Sequence, residues 1–491
     1  MKPFLPQALR RFCGLFLLAG SLTAAGQGSA GKHPNIVLIL TDQWRAQALG
    51  FLGQEKVQTP HIDSFVRGGL ALTQMVSNYP VCSPARAMLM TGNYPVKTKV
   101  YANVNSHSAP FGVELQQNMV CWSDVLKKKG YSNGYIGKWH LDAPHKPYVA
   151  CANNTEKLAW NEWTPAEKRH GFDYWYAYGT YDYHNRPMYW DTRAPRDSFH
   201  FVDQWGPEHE ADKALEFLAN RHNERKAGAP FSLVVSINPP HSPYHMVPEK
   251  YVALYQNIPV DSLLDHPNIP PAGTPAGEEY RKNIKYYYAC ISGVDEQIGR
   301  IIRGLKEHGQ LDNTIVLITA DHGNCLGKHD ELSKNNIYEE SLRIPLIVYW
   351  KGKIQAGIDQ TFLGNIPDIY PTLLELAGHK KDIPRDIEGK SYARYFLDRS
   401  GPVPAEQFIM GAILSSDPKV NSGFRGIRNT HYKLAYRKNG KKMERYLFDL
   451  RNDPFELNNL YRKDHEQVKA LRPKLEEWLQ RTKDGFVLNE E

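Results

Sequence analysis

The chain has 491 residues, 41% of them hydrophobic, with 60 Lys and Arg against 53 Asp and Glu and a formal charge of +7. That length and apolar content support one very large domain or two domains with a real core. The absence of a basic helix, a zinc-finger spacing or a long Lys/Arg run excludes a dedicated nucleic-acid binder, and a weakly basic balance suits an anionic substrate.

The first 26 residues carry Lys2, Arg10 and Arg11, then the apolar run Phe12 to Leu18, then small residues ending Ala24-Ala25-Gly26. This is the pattern of a secretory signal peptide, so the protein is expected to be exported, periplasmic or secreted. Removing residues 1–26 takes away three cationic and no acidic side chains and lowers the formal charge to +4. The run is too short for a membrane span, and Cys13 lacks the small-residue run that precedes a lipidated cysteine, so no membrane anchor is predicted. The mature chain keeps Cys82, Cys121, Cys151, Cys290 and Cys325. Setting Cys82 aside, the other four allow two disulfides in an exported protein.

Asn35 to Leu40 is a short, continuous, β-branched apolar run, as expected of a central strand covered on both faces. Similar strands are predicted at Ser132–Lys138, Phe231–Ile237, Thr314 to Thr319 and Ile344 to Trp350. Helix-like stretches separate them at Trp122 to Lys129, His209 to His222 and Tyr280 to His308, and Asp368 to Gly378 reads as a helix with a glycine stop. The Pro-rich stretch Ile269 to Pro275 reads as a surface loop. This alternation predicts an α/β domain over residues 31–384, with a central, mostly parallel sheet flanked by helices. From residue 385 to 491 short polar strands at Phe424 to Arg428, Tyr432 to Tyr436 and Arg445 to Leu450, then an amphipathic helix from His465 to Arg481, predict a small C-terminal α+β subdomain with an antiparallel sheet.

In open α/β sheets ligands lie beyond the carboxyl ends of the strands. Four predicted strands run there into Thr41-Asp42-Gln43-Trp44, Gly137-Lys138-Trp139-His140, Asn238-Pro239-Pro240-His241 and Ala320-Asp321-His322-Gly323. Each alone is a weak signal; four at one edge mark a site. Cys82 precedes a predicted helix in which Pro84 suits the first turn and Ser83 can cap the free amides. On residue chemistry alone, Cys82 reads as an activated nucleophile, a redox centre or a buried packing cysteine.

The segment Cys82-Ser83-Pro84-Ala85-Arg86, with Thr91-Gly92 and Tyr94-Pro95 after it, resembles the C-x-P-x-R signature of the type I sulfatases of the alkaline phosphatase superfamily. L-T-D-Q, G-K-W-H, N-P-P-H-S-P, D-H-G-x-x-L-G, Lys334 and Y-E-E-S-L-R-I-P-L-I-V follow in the order of that family, and Y-L-F-D-L-R-N-D-P-F-E-L-N-N-L is similar to its C-terminal motif. The resemblance covers nearly all of residues 33 to 460. It implies an alkaline-phosphatase-like fold and a formylglycine made from Cys82 by a formylglycine-generating or anaerobic sulfatase-maturating enzyme. It also implies Ca²⁺, or less often Mg²⁺, on Asp42, Gln43, Asp321, His322 and an oxygen of the modified residue 82. Two departures stand out: Gln43 where many relatives carry a second aspartate, and His322 where asparagine is common. Arg86, Lys138, Lys334, His140 and His241 match the family's positions around the sulfate. The implied mechanism has residue 82 attack sulfur as its hydrate, His241 with Lys334 protonate the leaving oxygen, and His140 remove the second hydroxyl's proton so that sulfate departs.

Phe172 to Arg186 is dense in aromatic and polar tips, suited either to a sugar ring or to packing under a long loop. His184, Asn185 and Arg186 are the candidates for sugar recognition, with His107 and the region Asn421 to Arg425 as further contributors. The expected activity is hydrolysis of sulfate esters on a carbohydrate, such as a glycosaminoglycan, mucin-type or algal glycan. An arylsulfatase, choline-sulfatase or phosphonate monoester hydrolase shares the same core, and a non-catalytic glycan-binding relative would have lost Cys82, Asp321 or Lys334, all of which are present.

Overall fold

The computed structural model describes residues 33–411 and 422–488; the expected signal peptide and Asn421 lie outside them. In chain order the strands are β1 (Asn35–Thr41), β2 (Leu70–Leu72), β3 (Ser132–Lys138), β4 (Tyr174–Tyr178), β5 (Met188–Tyr189), β6 (His200–Phe201), β7 (Phe231–Ile237), β8 (Thr314–Ala320), β9 (Leu346–Tyr349) and β10 (Gly357–Asp359). The C-terminal strands are β11 (Gln407–Gly411), β12 (Gly423–Arg428), β13 (Tyr432–Asn439) and β14 (Lys442–Asp449).

The main sheet has the order β10-β2-β9-β8-β1-β7-β3-β4, and β5 pairs with β6 apart from it. Its five strands β8, β1, β7, β3 and β4 are mutually parallel; β9 runs antiparallel to β8 and to β2. β1 is buried from Ile36 to Thr41 and β7 and β8 throughout, which is why these segments read as continuous apolar runs rather than alternating ones. Helices Pro60–Val66, Gly206–Ala219 and Glu249–Gln256 pack on the long helix Pro275–Glu307, while Cys82–Thr91 and Trp122–Lys128 pack on Ile366–Leu376. The two groups flank the sheet in a layered α/β arrangement.

Several local readings change. Pro275 is not loop: it opens the helix Pro275–Glu307, with Thr274 as the N-cap accepting a hydrogen bond from the Gly277 amide. A proline in a first turn costs no hydrogen bond, so a Pro-rich run can end inside a helix. The first half of the aromatic stretch is no loop either. It forms β4, with Trp175, Tyr176 and Tyr178 buried. The two disulfides do not form: Cys121, Cys151, Cys290 and Cys325 are free thiols. They sit on separate elements with partners of their own, Cys290 donating to the Tyr244 carbonyl and Cys325 meeting Asn336. No described helix is long and apolar enough to cross a membrane.

The C-terminal sheet runs β11-β12-β13-β14, antiparallel throughout, with helix Glu466–Arg481 against β12 and β13. Its attachment to the main body is charged and buried. Lys433 reaches Glu339 at 3.0 Å and also pairs with Glu456, and Arg428 reaches Glu339 at 2.9 Å. Arg437 pairs with Glu331 at 3.1 Å. Asn78 receives the Met410 amide on its carbonyl and donates its side-chain amide to the Phe408 carbonyl, tying β11 to the segment ahead of Cys82. The segment 326–338, which carries Lys334, lies between these anchors.

Candidate active site

Helix Cys82–Thr91 begins on Cys82, with Val81 extended at the N-cap. Ser83 is not the cap. Its hydroxyl donates to the His140 carbonyl at 2.8 Å and accepts from the Val104 amide at 3.0 Å, while Asn103 Oδ1 takes the Ser83 amide at 3.1 Å. The Cys82 sulfur is 3.2 Å from Lys334 Nζ, 3.3 Å from His322 Nε2, 3.5 Å from Asp42 Oδ1 and 4.0 Å from Lys138 Nζ. Burial and Asp42 push the Cys82 thiol up, but Lys138, Lys334 and His322 together hold it well below the usual thiol range.

All four strand-end segments meet here, because β8, β1, β7 and β3 lie side by side and end at one edge. Asp42 Oδ2 is 2.7 Å from Lys138 Nζ and 3.2 Å from Arg86; Asp321 Oδ2 is 3.0 Å from Arg86. The two carboxylates turn their Oδ1 atoms inward, 3.4 and 3.5 Å from His322 Nε2. Candidate ligand atoms of Asp42, Cys82, Asp321 and His322 all lie within 4.8 Å of one another. His322 Nδ1 is 2.8 Å from the Gly323 carbonyl, which assigns the proton to Nδ1 and leaves Nε2 as a donor of electrons to a metal. This buried set of carboxylates and one imidazole fits a divalent cation. Gln43 stands beside it in a left-handed conformation, φ 71°. Its Nε2 donates to the Tyr244 hydroxyl at 3.0 Å, and its Oε1 accepts from Lys334 Nζ at 3.1 Å. Burial raises both carboxyls, yet Asp42, facing Lys138, His241 and Lys334, is held well below the ordinary carboxylate range; Asp321, beside Asp42, is pushed up.

Arg86 does not face the cavity. Its guanidinium bridges Asp42 and Asp321 from behind and donates to the Lys138 carbonyl and the Ser236 hydroxyl, both at 2.8 Å. Every arm of the fork is engaged within the wall, so it positions the two carboxylates rather than an oxygen of a substrate. Lys138 does line the cavity, fixed between Asp42 and Asn238 Oδ1 at 3.0 Å. His140 lies past the end of β3 with φ 57°; its Nε2 donates to the Val104 carbonyl at 3.0 Å and its Nδ1 is buried without a protein partner. His241 Nδ1 is 2.7 Å from the Ser242 carbonyl and 3.5 Å from Asp182 Oδ1, which leaves Nε2 for the cavity.

The cavity over Cys82 has a volume of about 180 Å³. Cys82, Lys138, His140, His241 and Lys334 line it, and Asn103, Asn153, Trp160, Thr180 and Asp182 complete it. Those five were not singled out from the sequence, although Asp182 lies in the aromatic and polar stretch. The recognition candidates fall elsewhere. His184 is buried, with Nε2 2.9 Å from the His241 carbonyl, and so supports the His241 backbone. Asn185 is exposed, and Arg186 lies on the surface over Phe201, paired with Asp203 at 2.9 Å. His107 holds the Lys157 carbonyl at 2.8 Å, and Arg425 is buried against Asp484.

Comparison with known proteins agrees with this geometry. The sulfatase family model matches residues 34–379, and the model for the C-terminal part of N-sulphoglucosamine sulphohydrolase matches residues 327–484. An endo-4-O-sulfatase of Bacteroides thetaiotaomicron is 38% identical, with 92% of this chain and 93% of the relative covered. An ulvan-active sulfatase of Formosa agariphila is 34% identical, covering 87% of this chain and 77% of its own. Among solved structures, a sulfatase candidate of Bacteroides fragilis superposes with a TM-score of 0.88 at 47% identity, over 92% of this chain and 97% of that one. With a family model spanning most of its length and relatives matching it nearly end to end, the chain belongs to the sulfatases of the alkaline phosphatase superfamily and is a sulfuric ester hydrolase.

Proposed function

We propose that this protein is an exported sulfatase that removes sulfate from a sulfated carbohydrate, a glycosaminoglycan, mucin-type or algal glycan, after a maturation enzyme converts Cys82 to formylglycine. The observation that carries the reading is the convergence of two lysines and two histidines, held by named partners, on a cavity that Cys82 also lines, with ligand atoms of Asp42, Asp321 and His322 within 4.8 Å of the Cys82 sulfur. The relatives named above include an endo-4-O-sulfatase and an ulvan-active sulfatase, which supports a glycan substrate.

Formylglycine at position 82 would supply a hydrated aldehyde as nucleophile, and Ca²⁺ or Mg²⁺ held by Asp42, Asp321 and His322, with Gln43 adjoining, would supply a Lewis acid. The chain's own groups do the rest. Lys138 and Lys334 flank residue 82 at 4.0 and 3.2 Å and meet the negative oxygens of the ester. His241, its Nδ1 proton committed to the Ser242 carbonyl and Asp182, presents Nε2 to protonate the leaving sugar oxygen, since an alkoxide leaves poorly. His140, its Nε2 proton committed to Val104, presents an unpartnered Nδ1 to take a proton from residue 82 as sulfate departs. Arg86 keeps the two carboxylates in place.

Sulfate release by protein matured at position 82 from a panel of sulfated mono- and disaccharides, with an aryl sulfate and a phosphonate ester alongside, tests this reading. Release from saccharides of one regiochemistry, absent in Cys82→Ala, is the expected result. Turnover of the aryl or phosphonate esters alone replaces it, full activity of Cys82→Ala removes the nucleophile, and no turnover of any ester leaves a binding protein.

A further inference from the structure

The cavity is small. At about 180 Å³ it falls below the ~300 Å³ at which clefts begin to enclose whole ligands. Room for the ester and the carbons next to it is what remains once the lysines, the histidines and residue 82 have taken their side. Recognition of a sugar therefore falls on the remaining walls. Resting on the carbohydrate reading above, we infer that Trp160, together with the Asn153–Asp182 pair, is the docking wall for the sugar ring that carries the sulfate.

Trp160 is the tryptophan that lines the cavity; Trp163, also partly covered, does not, and its Nε1 donates to the Ala194 carbonyl at 3.0 Å. Trp139, Trp175 and Trp190 are buried in the core, whereas Trp160 is only partly covered and lines the cavity, its ring centroid 6.2 Å from that of His140 and tilted by 57°. An indole face beside a reacting centre is a surface for the C–H face of a pyranose. The loop that carries it is preset. Asn154 Nδ2 donates to the carbonyls of Val149 and Asn161 at 2.9 and 2.8 Å, and Asn154 Oδ1 takes the Trp160 amide at 2.7 Å. Across the gap, Ser106 exchanges two bonds with Ala159, at 2.8 and 2.9 Å. A wall so tied loses little freedom when a ligand lands on it.

Asp182 supplies the polar half. Asn153 Nδ2 donates to its Oδ2 at 2.9 Å, the Asp182 amide donates back to Asn153 Oδ1 at 3.1 Å, and Asn238 Nδ2 donates to its Oδ1 at 3.0 Å. His241 Nδ1 lies 3.5 Å from the same Oδ1. A carboxylate has about four acceptor positions and no proton to give, so with three of them faced by Asn153, Asn238 and His241 one remains, on Oδ2, for a donor from the cavity. It repels sulfate, which fixes what it can bind: a neutral hydroxyl on the ring, next to the ester. A flat apolar face and an acceptor-only group on adjoining walls are the two features a hexopyranose needs and a small alkyl ester lacks.

The experiment uses matured full-length enzyme, the saccharide of the panel turned over fastest, and inorganic sulfate as a competitive inhibitor. Trp160→Ala is expected to raise KM for the saccharide by about tenfold or more with kcat far less affected, and Trp160→Phe to keep KM within about threefold. The inhibition constant of inorganic sulfate is expected to stay within about twofold in both, since the groups proposed above to hold sulfate are the lysines and not Trp160. A saccharide KM unchanged in Trp160→Ala overturns the inference while leaving the carbohydrate reading intact. A parallel loss of sulfate inhibition overturns it too, by showing that Trp160 holds the site together. If the wild-type enzyme releases sulfate only from aryl or phosphonate esters, the carbohydrate reading fails and the docking wall with it.

Discussion

Replacing Glu210 by Gln removes a carboxyl that the fold holds in its protonated form. Glu210 lies on helix Gly206–Ala219, 1% exposed, beneath the end of β3. Its Oε1 accepts from the hydroxyls of Tyr178 and Tyr189 at 3.3 and 3.2 Å, and its Oε2 is buried with no partner. Burial pushes the carboxyl from 4.5 up to about 8, against the pull of the two tyrosine hydroxyls. Because the folded value is raised, the folded state keeps a proton between those limits that the unfolded state has lost. The group's contribution is therefore fully present below pH 4.5 and is lost as pH rises toward 8. At about 1.36 kcal/mol per pH unit, the loss is at most ~5 kcal/mol. For a chain of this size, an unfolding entropy of about 2.1 cal/mol/K per residue makes that worth about 5 °C in Tm. Gln keeps an acceptor for both hydroxyls and carries no charge. Scanning calorimetry at one fixed scan rate, from pH 5 to pH 9, should therefore show wild type and Glu210→Gln within about 1 °C at pH 5 and the variant higher by about 3–5 °C at pH 8.5. A difference in Tm that stays flat across this range refutes the reasoning.

Three further outcomes concern the site. Burial, with Lys138 close by, lowers the His140 imidazole below 6.5, and a base acts in its unprotonated form, so kcat should persist as pH falls through 6.5 and be lost only at the lowered value. His140→Ala should lower kcat by about 10²–10⁴-fold, read under saturating substrate, and a loss under about tenfold excludes it as the proton acceptor. Chelation should abolish turnover and lower Tm, because the inward-facing oxygens of Asp42 and Asp321 would lose the cation proposed above to sit between them, and Ca²⁺ or Mg²⁺ should restore both. Turnover unchanged by chelation removes those residues from a metal role.

The parallel strands were legible because burial on both faces leaves an unbroken apolar run, and the catalytic edge because each of those runs stops at a polar residue. Where the sequence misled, the deciding contacts were distant in the chain. Arg86 is a cation close to Cys82 in sequence, but Asp321, which claims it, is far along the chain. His184 looked available because its surroundings are polar, yet its partner is the backbone of His241. Trp160 gave no signal of its own, since a tryptophan in an irregular stretch is indistinguishable from a packing residue until the loops around Asn103 and Asp182 close over it. β4 hid in an aromatic stretch because tyrosines serve equally in edge strands and in binding loops.

Lys334 reaches Cys82 from a segment clamped between the main body and the C-terminal sheet, where Arg437 grips Glu331 and Lys433 grips Glu339. The last strands to leave the ribosome thus complete a site whose proposed nucleophile, residue 82, was made among the first hundred residues. A clipped or prematurely terminated chain would still contain the floor of the cavity but not the means to hold its lysine there. In a preparation fully matured at position 82, turnover becomes a proxy for intactness: the rate of sulfate release counts finished molecules, whereas absorbance or antibody binding counts fragments as well.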